Sequence, residues 1–385
     1  ILFFQFVFNI PEGRLIATIV VYASLVVSTA YSVTIAPYDG ALNAHEDLHI
    51  FSIIGVVDCL LRFLIALLLL FANTDKLILY GILMAIEAWG IREITKYYCV
   101  KHYDECKQNK SITADINLIK EMIGFAGWNL LNAATAMITL YSMNIIINHY
   151  YGTIYNAAMG VATQLTGVLM AFSLNMQKAL TPAMMKQEGA NNRDAVLNLS
   201  YIGSKFAFVI FAVLGFPVYL SIDWILNIWL TEVPEYTNVF CRLLIVSIML
   251  EQYFVLLAQA VLAQGDVKNY SIAKSVVNSI PIIASIITCT IGLSASWVLI
   301  NRILFFVGIG GLINLYFCVV NLKFSIRSYL YKTVFPTAIS TGIVIALLYL
   351  SNYYCNLHEP LKVITACVIT LIGFFVFSFN QSERN

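Results

Sequence analysis

Two residues of opposite charge lie four apart inside one of the most apolar stretches of the chain. Asp58 and Arg62 sit in FSIIGVVDCLLRFLIALLLLF, and on a helix that spacing puts them on one face. A lone charge at mid-membrane costs ~2.5–3.5 kcal/mol on insertion scales, so the pair is expected to neutralise itself and to face protein or a wet cavity. Two roles fit. Arg62 can meet an anionic group in passage, with Asp58 setting its position or exchanging a proton, or the two form a structural ion pair.

Glu87 and Glu251 are each central in an apolar run and have no cation at helical spacing. A carboxylate so placed is a candidate for ion coupling, or it pairs with a base on a neighbouring helix, Arg302 for instance. Asn129, Asn132, Asn144 and Asn148 punctuate the next apolar stretch, and Gln164 and Asn175 the one after. Asn144 and Asn148 share a helical face. Amides with Tyr141 nearby suit sugar hydroxyls, and interhelical hydrogen bonding is the alternative. His45 and His49 are also i, i+4, but no third ligand is apparent, so a helix-end role is expected and a metal is not. The eight cysteines are scattered without a CxxC and read as small apolar fillers. The sequence contains no HExxH, Walker loop or Gly-rich phosphate fingerprint, so no catalytic residue and no cofactor is expected.

The elements that must hold these residues are membrane helices. Of 385 residues, 60% are hydrophobic and 11% charged, and the mean hydropathy is +0.82. Such a composition excludes an ordinary soluble domain. Eleven apolar spans of bilayer-crossing length are predicted, at 15–36, 50–71, 77–95, 122–147, 153–175, 205–229, 238–260, 272–292, 297–320, 334–354 and 361–380. Long continuous runs argue against a β-barrel. The longest connections, 96–121 and 176–204, are too short for a separate catalytic domain. Pro217, Pro281 and Pro336 are expected to kink or start helices.

Basic residues set the expected orientation. Alternate loops hold Arg92, Lys96, Lys101, Lys107, Lys110 and Lys120, then Lys178, Lys186, Arg193 and Lys205, then Lys268 and Lys274, then Lys323, Arg327 and Lys332, then Arg384. The other side has only Arg14, Lys76, Arg242 and Lys362. The positive-inside rule makes the first set cytoplasmic and puts the acidic loop TEVPEY outside. The basic segment 178–205 is expected as an amphipathic stretch near anionic headgroups.

An internal repeat organises the whole. ALNAHEDLHIFSIIGVV, from Ala41, returns as AVLAQGDVKNYSIAKSV from Ala260, with Ala44, Asp47, Ser52 and Ile53 meeting Ala263, Asp266, Ser271 and Ile272. Both turns join two apolar runs, which marks a duplicated membrane bundle. Position 1 already lies in an apolar run, ILFFQFVF, too short to span. The chain is therefore expected to lack its first helices. The predicted fold is an all-α polytopic membrane protein of two pseudo-symmetric six-helix lobes plus two C-terminal helices. Residues 1–114 would be the remainder of the N-terminal lobe, 115–325 the C-terminal lobe and 326–385 the additional pair.

The turn APYDGALNAHEDLHIFS resembles polysaccharide flippases of the multidrug/oligosaccharidyl-lipid/polysaccharide exporter superfamily. So do FAGWNLLNAATAMITLYSMNIIINHYYG, NMQKALTPAMMKQEGANNRDA and LNIWLTEVPEYTNVFCRLLIV, and the likeness covers essentially the whole chain. It implies two lobes facing each other across a central cavity, with two further helices in the lipid-linked oligosaccharide branch. It also implies translocation of undecaprenyl-diphosphate-linked oligosaccharide units, such as O-antigen repeats, across the bacterial inner membrane by alternating access. No bond is made or broken, so the protein is not expected to be an enzyme. The substrate-binding candidates are Arg62, Asp58, Asn144, Asn148 and Gln164, and the ion-coupling candidates are Glu87 and Glu251. Expected partners are the lipid-linked substrate, membrane lipids and a polysaccharide polymerase or glycosyltransferases, with no nucleic acid. The alternatives are a cation-coupled multidrug exporter of the same superfamily and a membrane-embedded polymerase. The polymerase would want a large outer loop or a sugar-nucleotide domain, and neither is present.

Overall fold

Helices account for nearly all of the chain because apolar side chains favour lipid and a backbone in lipid must satisfy its own polar groups. The structure is a computed structural model that describes residues 15–45, 47–72, 74–107, 115–265, 267–354 and 359–379. The stub 1–8, the loop 9–14, Lys110, Asp266, Cys355 and Arg384 lie outside the described residues. No strand occurs among those described.

The chain divides into two compact units, 1–114 and 115–385. The first contains α1 (Leu15–Ala44), α2 (Leu48–Phe71) and α3 (Lys76–His102). The second contains α4 (Ile116–Tyr151), α5 (Thr153–Gly189), α6 (Arg193–Leu220), the short α7 (Ile222–Trp229), α8 (Thr237–Ala263) and α9 (Lys268–Thr290). It continues through α10 (Ser296–Leu322), α11 (Ile326–Ser351) and α12 (Glu359–Ser378). Within α10 the turns over Arg302–Ile309 are wound wider, as a π-helix, and so is Leu330–Val334 in α11.

Ten helices among the described residues are long and apolar enough to cross a membrane. The protein is an all-α polytopic membrane protein. The eleventh expected span, 77–95, lies inside α3, which is long enough. Its charges, Glu87, Arg92, Glu93, Lys96 and Lys101 among them, keep it out of that set.

The repeat is visible in the helix boundaries. An offset of 219 residues carries the end of α1, Ala44, onto the end of α8, Ala263. The same offset carries the span His49–Phe71 onto Lys268–Thr290.

One expected loop is helix instead. α5 runs to Gly189 and α6 begins at Arg193, leaving 190–192 as the turn where 176–204 was predicted. Polar residues there do not break the helices. α5 has 37 residues, about 55 Å at 1.5 Å per residue, which is longer than a bilayer is thick. Lys205 therefore sits inside α6 and is buried, and Lys274 sits inside α9, not in cytoplasmic loops. The predicted span 205–229 is likewise divided at Ser221, four residues after Pro217. Pro281 is interior to α9, and Pro336 follows directly on the π-turns of α11.

Close helix approaches rest on small residues, as is usual in lipid. In the first unit a Cβ at Gly81 of α3 would stand 2.9 Å from Cγ2 and 3.1 Å from Cα of Val21 on α1. In the second, a Cβ at Gly373 of α12 would meet Val344 Cγ2 of α11 at 2.5 Å. This C-terminal pair packs on α6 through Phe208, Ala212, Phe216, Val344, Leu348 and Phe374.

Candidate functional site

The first unit builds its polar site between α2 and α3. The helical spacing of Asp58 and Arg62 brings Arg62 Nη2 to 3.0 Å and Nε to 3.2 Å from Asp58 Oδ1. The sequence did not reveal the third member. Arg62 Nε also lies 3.6 Å from Oε1 of Glu87, so the cation of Glu87 comes from a neighbouring helix. Glu87 is 3% exposed at its side chain and Arg62 54%, so the pair joins a buried anion to an accessible cation. Among the described residues, neither oxygen of Glu87 has a hydrogen-bond partner within ordinary reach. The three side chains open on a cavity of about 550 Å³ that also receives Asp39 of α1, Arg92 of α3 and the hydroxyls of Ser24 and Ser28.

At the end of this unit, His45 stacks on Tyr103 with ring centroids 4.0 Å apart and bonds Glu105 through Nε2. That bond holds the Glu105 carboxyl below the usual carboxylate range. Tyr103 donates to Asp47, which raises its own hydroxyl above the usual phenol range, after burial as the larger cause. His49 Nδ1 is 3.9 Å from Asp47. These contacts tie the α1–α2 turn to the end of α3.

The second unit buries a separate polar seam. Arg302, on the first π-turn of α10, reaches Glu251 of α8 at 2.9 Å and also donates to Ser247. The partner of Glu251 is thus Arg302. Lys274 of α9 donates to the carbonyl of Gly310 at 2.9 Å, just past the π-turns, where the ordinary helical pattern is interrupted. Asn278, one turn on, lies 3.4 Å from Asn132 Oδ1 and its carbonyl accepts from Thr139 at 2.6 Å, joining α9 to α4. Tyr270 donates to Asn314 at 3.1 Å, and Gln177 to Gln252 at 3.2 Å. Glu251, Lys274, Asn278, Asn129, Asn132 and Gln259 line a cavity of about 320 Å³.

Asn144, Asn148 and Gln164 line neither cavity. Asn144 is half-buried and donates to Leu140 of its own helix at 3.3 Å, while Asn148 and Gln164 are exposed. Lys274 and Asn278 had not been singled out as site residues. Their signal was present: Ser271, Lys274, Ser275 and Asn278 recur at spacings of three and four through an apolar run, the period of one buried helical face.

Among the described residues this is the architecture of a polytopic membrane protein that keeps ionised groups in pairs inside its helices. The MatE family model matches residues 131–287, which run from α4 to near the end of α9, and MatE is part of the multidrug/oligosaccharidyl-lipid/polysaccharide exporter superfamily. Members of the MatE family are transporters and not enzymes. No curated protein and no solved structure matches the chain.

Proposed function

We propose that this protein is a bacterial inner-membrane flippase for undecaprenyl-diphosphate-linked oligosaccharide units, moving them to the outer leaflet by alternating access. The observation that carries the reading is Arg62: a cation set within an apolar helix, held by Asp58 and Glu87, yet accessible from a cavity of about 550 Å³. A guanidinium is suited to phosphate because its planar fork offers two parallel donors, and a low-dielectric wall strengthens that contact. Asp58 aims the fork. The accessible amides of Asn148 and Gln164, with Asn144 behind, serve sugar hydroxyls. Glu87 and Glu251 are the groups for ion coupling. The additional pair α11–α12 supports the lipid-linked branch of the superfamily over the two-lobe drug exporters. A polysaccharide polymerase and glycosyltransferases would act before or after this step on the same glycan.

The test is complementation of a flippase-deficient strain by the full-length gene, scored by surface glycan. Restored glycan in the wild type and its loss in Arg62→Ala, at normal protein level, are the expected results. Arg62→Lys should recover part of the activity, because a lysine keeps the charge but not the fork. Unaffected transport in both variants refutes the role of Arg62. Drug resistance gained without surface glycan would identify a cation-coupled multidrug exporter instead.

A further inference from the structure

A cavity of about 560 Å³ lies in the second unit, between the C-terminal pair α11–α12 and the ends of α6 and α8. The pair is packed tightly at Gly373 and Phe374, and the gap is left towards Glu359. Phe216, Ile245, Leu348 and Ala366 form a buried floor, while Leu220, Ile345 and Tyr349 line the cavity and are exposed. It is therefore open at its flank, where a bilayer would lie. Its hydroxyls do not make it wet. Thr341, Ser351 and Thr365 each donate to a carbonyl of their own helix, to Thr337 at 2.7 Å, Leu348 at 3.0 Å and Lys362 at 3.0 Å. Water needs polar partners to settle in a cavity, and such a wall offers few. An apolar chain suits it, because lining with no atoms to touch forfeits its dispersion contacts. The length is that of one leaflet: Thr341 to Ser351 covers about 15 Å of helix, half of a hydrocarbon core of about 30 Å.

The mouth is charged. Lys362 Nζ lies 2.7 Å from Glu359 Oε1, at the end of α12 that reaches the cavity. On α8, Arg242 is one turn before Ile245 and Val246, on the face that lines the cavity. Its guanidinium lies 5.6 Å from the ring centroid of Tyr219, another lining residue, and bonds Asp223 at 3.0 Å. The described rim thus holds two cations and two carboxylates, each beside its opposite. By the positive-inside rule this end faces the outer leaflet. We propose that the cavity binds one outer-leaflet phospholipid with an ethanolamine headgroup, its acyl chain in the cavity, its phosphate on Lys362 and its ammonium on Glu359. A phosphate and an ammonium on one headgroup match a lysine and a glutamate on one helical turn through charge-assisted hydrogen bonds. A phosphatidylglycerol headgroup brings no cation to Glu359. A polyprenyl chain runs past the end of a pocket one leaflet deep. The bound lipid is a resident one that fastens α11–α12 to α6 and α8, so the proposal is independent of the flippase reading and of Arg62.

The experiment places the full-length protein in nanodiscs with phosphatidylethanolamine that carries a diazirine on one acyl chain. Irradiation and peptide mapping locate the chain, and native mass spectrometry counts the lipid retained after extraction. The expected result is one retained lipid per protein, with labelling concentrated in 216–221, 245–249 and 341–351. Unlabelled phosphatidylethanolamine should compete about fivefold better than phosphatidylglycerol of the same chains. Lys362→Gln should weaken retention by about fivefold, and Glu359→Gln should erase the preference between the two lipids. Ile345→Trp, at an exposed position that accepts bulk, should fill the cavity and remove the label. Labelling spread evenly over the helices, or unchanged in Ile345→Trp, places the chain elsewhere and refutes the proposal. Equal competition by phosphatidylglycerol overturns the headgroup assignment and the proposal with it. Displacement by undecaprenyl phosphate at lower concentration than by phosphatidylethanolamine also overturns it, and gives the cavity to a prenyl tail.

Discussion

Arg302 on α10 and Glu251 on α8 meet at 2.9 Å, with the guanidinium 6% exposed and the carboxylate 24%. The pair joins two helices far apart in sequence at the point where α10 widens into its π-turns. Taking one partner away leaves a charge in a place built for two. Glu251→Ala should lower stability by about 3 kcal/mol, the cost of an orphaned buried charge. Glu251→Leu combined with Arg302→Met should recover most of it. Thermal unfolding of the purified protein in detergent checks both, and additive losses in the double variant would refute the coupling.

Lys274 is expected to hold the end of the same π-segment. Lys274→Met keeps the apolar stem and removes the donor, so the Gly310 carbonyl loses its partner at about 1–3 kcal/mol. Hydrogen exchange should then quicken over 302–313, while α6 and α12 are unchanged. Uniform exchange across the unit would assign Lys274 no local role.

Gly81 sets the distance between α1 and α3. Gly81→Val should destabilise the first unit by about 1–3 kcal/mol, since the new Cβ meets both the side chain and the backbone of Val21. Val21→Ala in the same protein should recover part of the loss. Limited proteolysis of the α1–α3 segment reads it directly.

The α1–α2 turn should loosen in acid. Glu105 is held below the usual carboxylate range by the His45 hydrogen bond. A carboxyl lowered in the folded state contributes above its unfolded value, about 4.3, and loses that contribution as pH falls through its folded value. Exchange of the amides near 45 and 103–106 should therefore rise below about pH 4, and His45→Ala should remove the pH step. An unchanged step in that variant would disprove the link.

Much of this protein was legible from its residues. Apolar runs of bilayer length placed the helices, because lipid rewards continuous apolar surface and closed backbone hydrogen bonding whatever the neighbours are. The i, i+4 spacing of Asp58 and Arg62 anticipated their contact, since helix geometry alone determines it. The repeated turn foretold that helix ends near 44 and 263 would correspond. Charge counting in loops was less secure: it assigned Lys205 and Lys274 to loops, but both lie within helices, Lys205 buried and Lys274 half-buried.

Contacts between helices required the tertiary structure. Helical periodicity says which residues share a face but not which face meets it, so Arg62 reaching Glu87 could not be read from spacing. Nor could the choice of Arg302 by Glu251 have been more than one option among several. The polar residues of α4 divided in the same way: Asn129 and Asn132 turn toward Lys274 and Asn278, while Asn148 is left exposed. Sequence determined that these groups would be embedded in apolar helices. Packing decided which charges neutralise each other, because at a few ångströms the direction of a helix face outweighs the identity of the residue it carries.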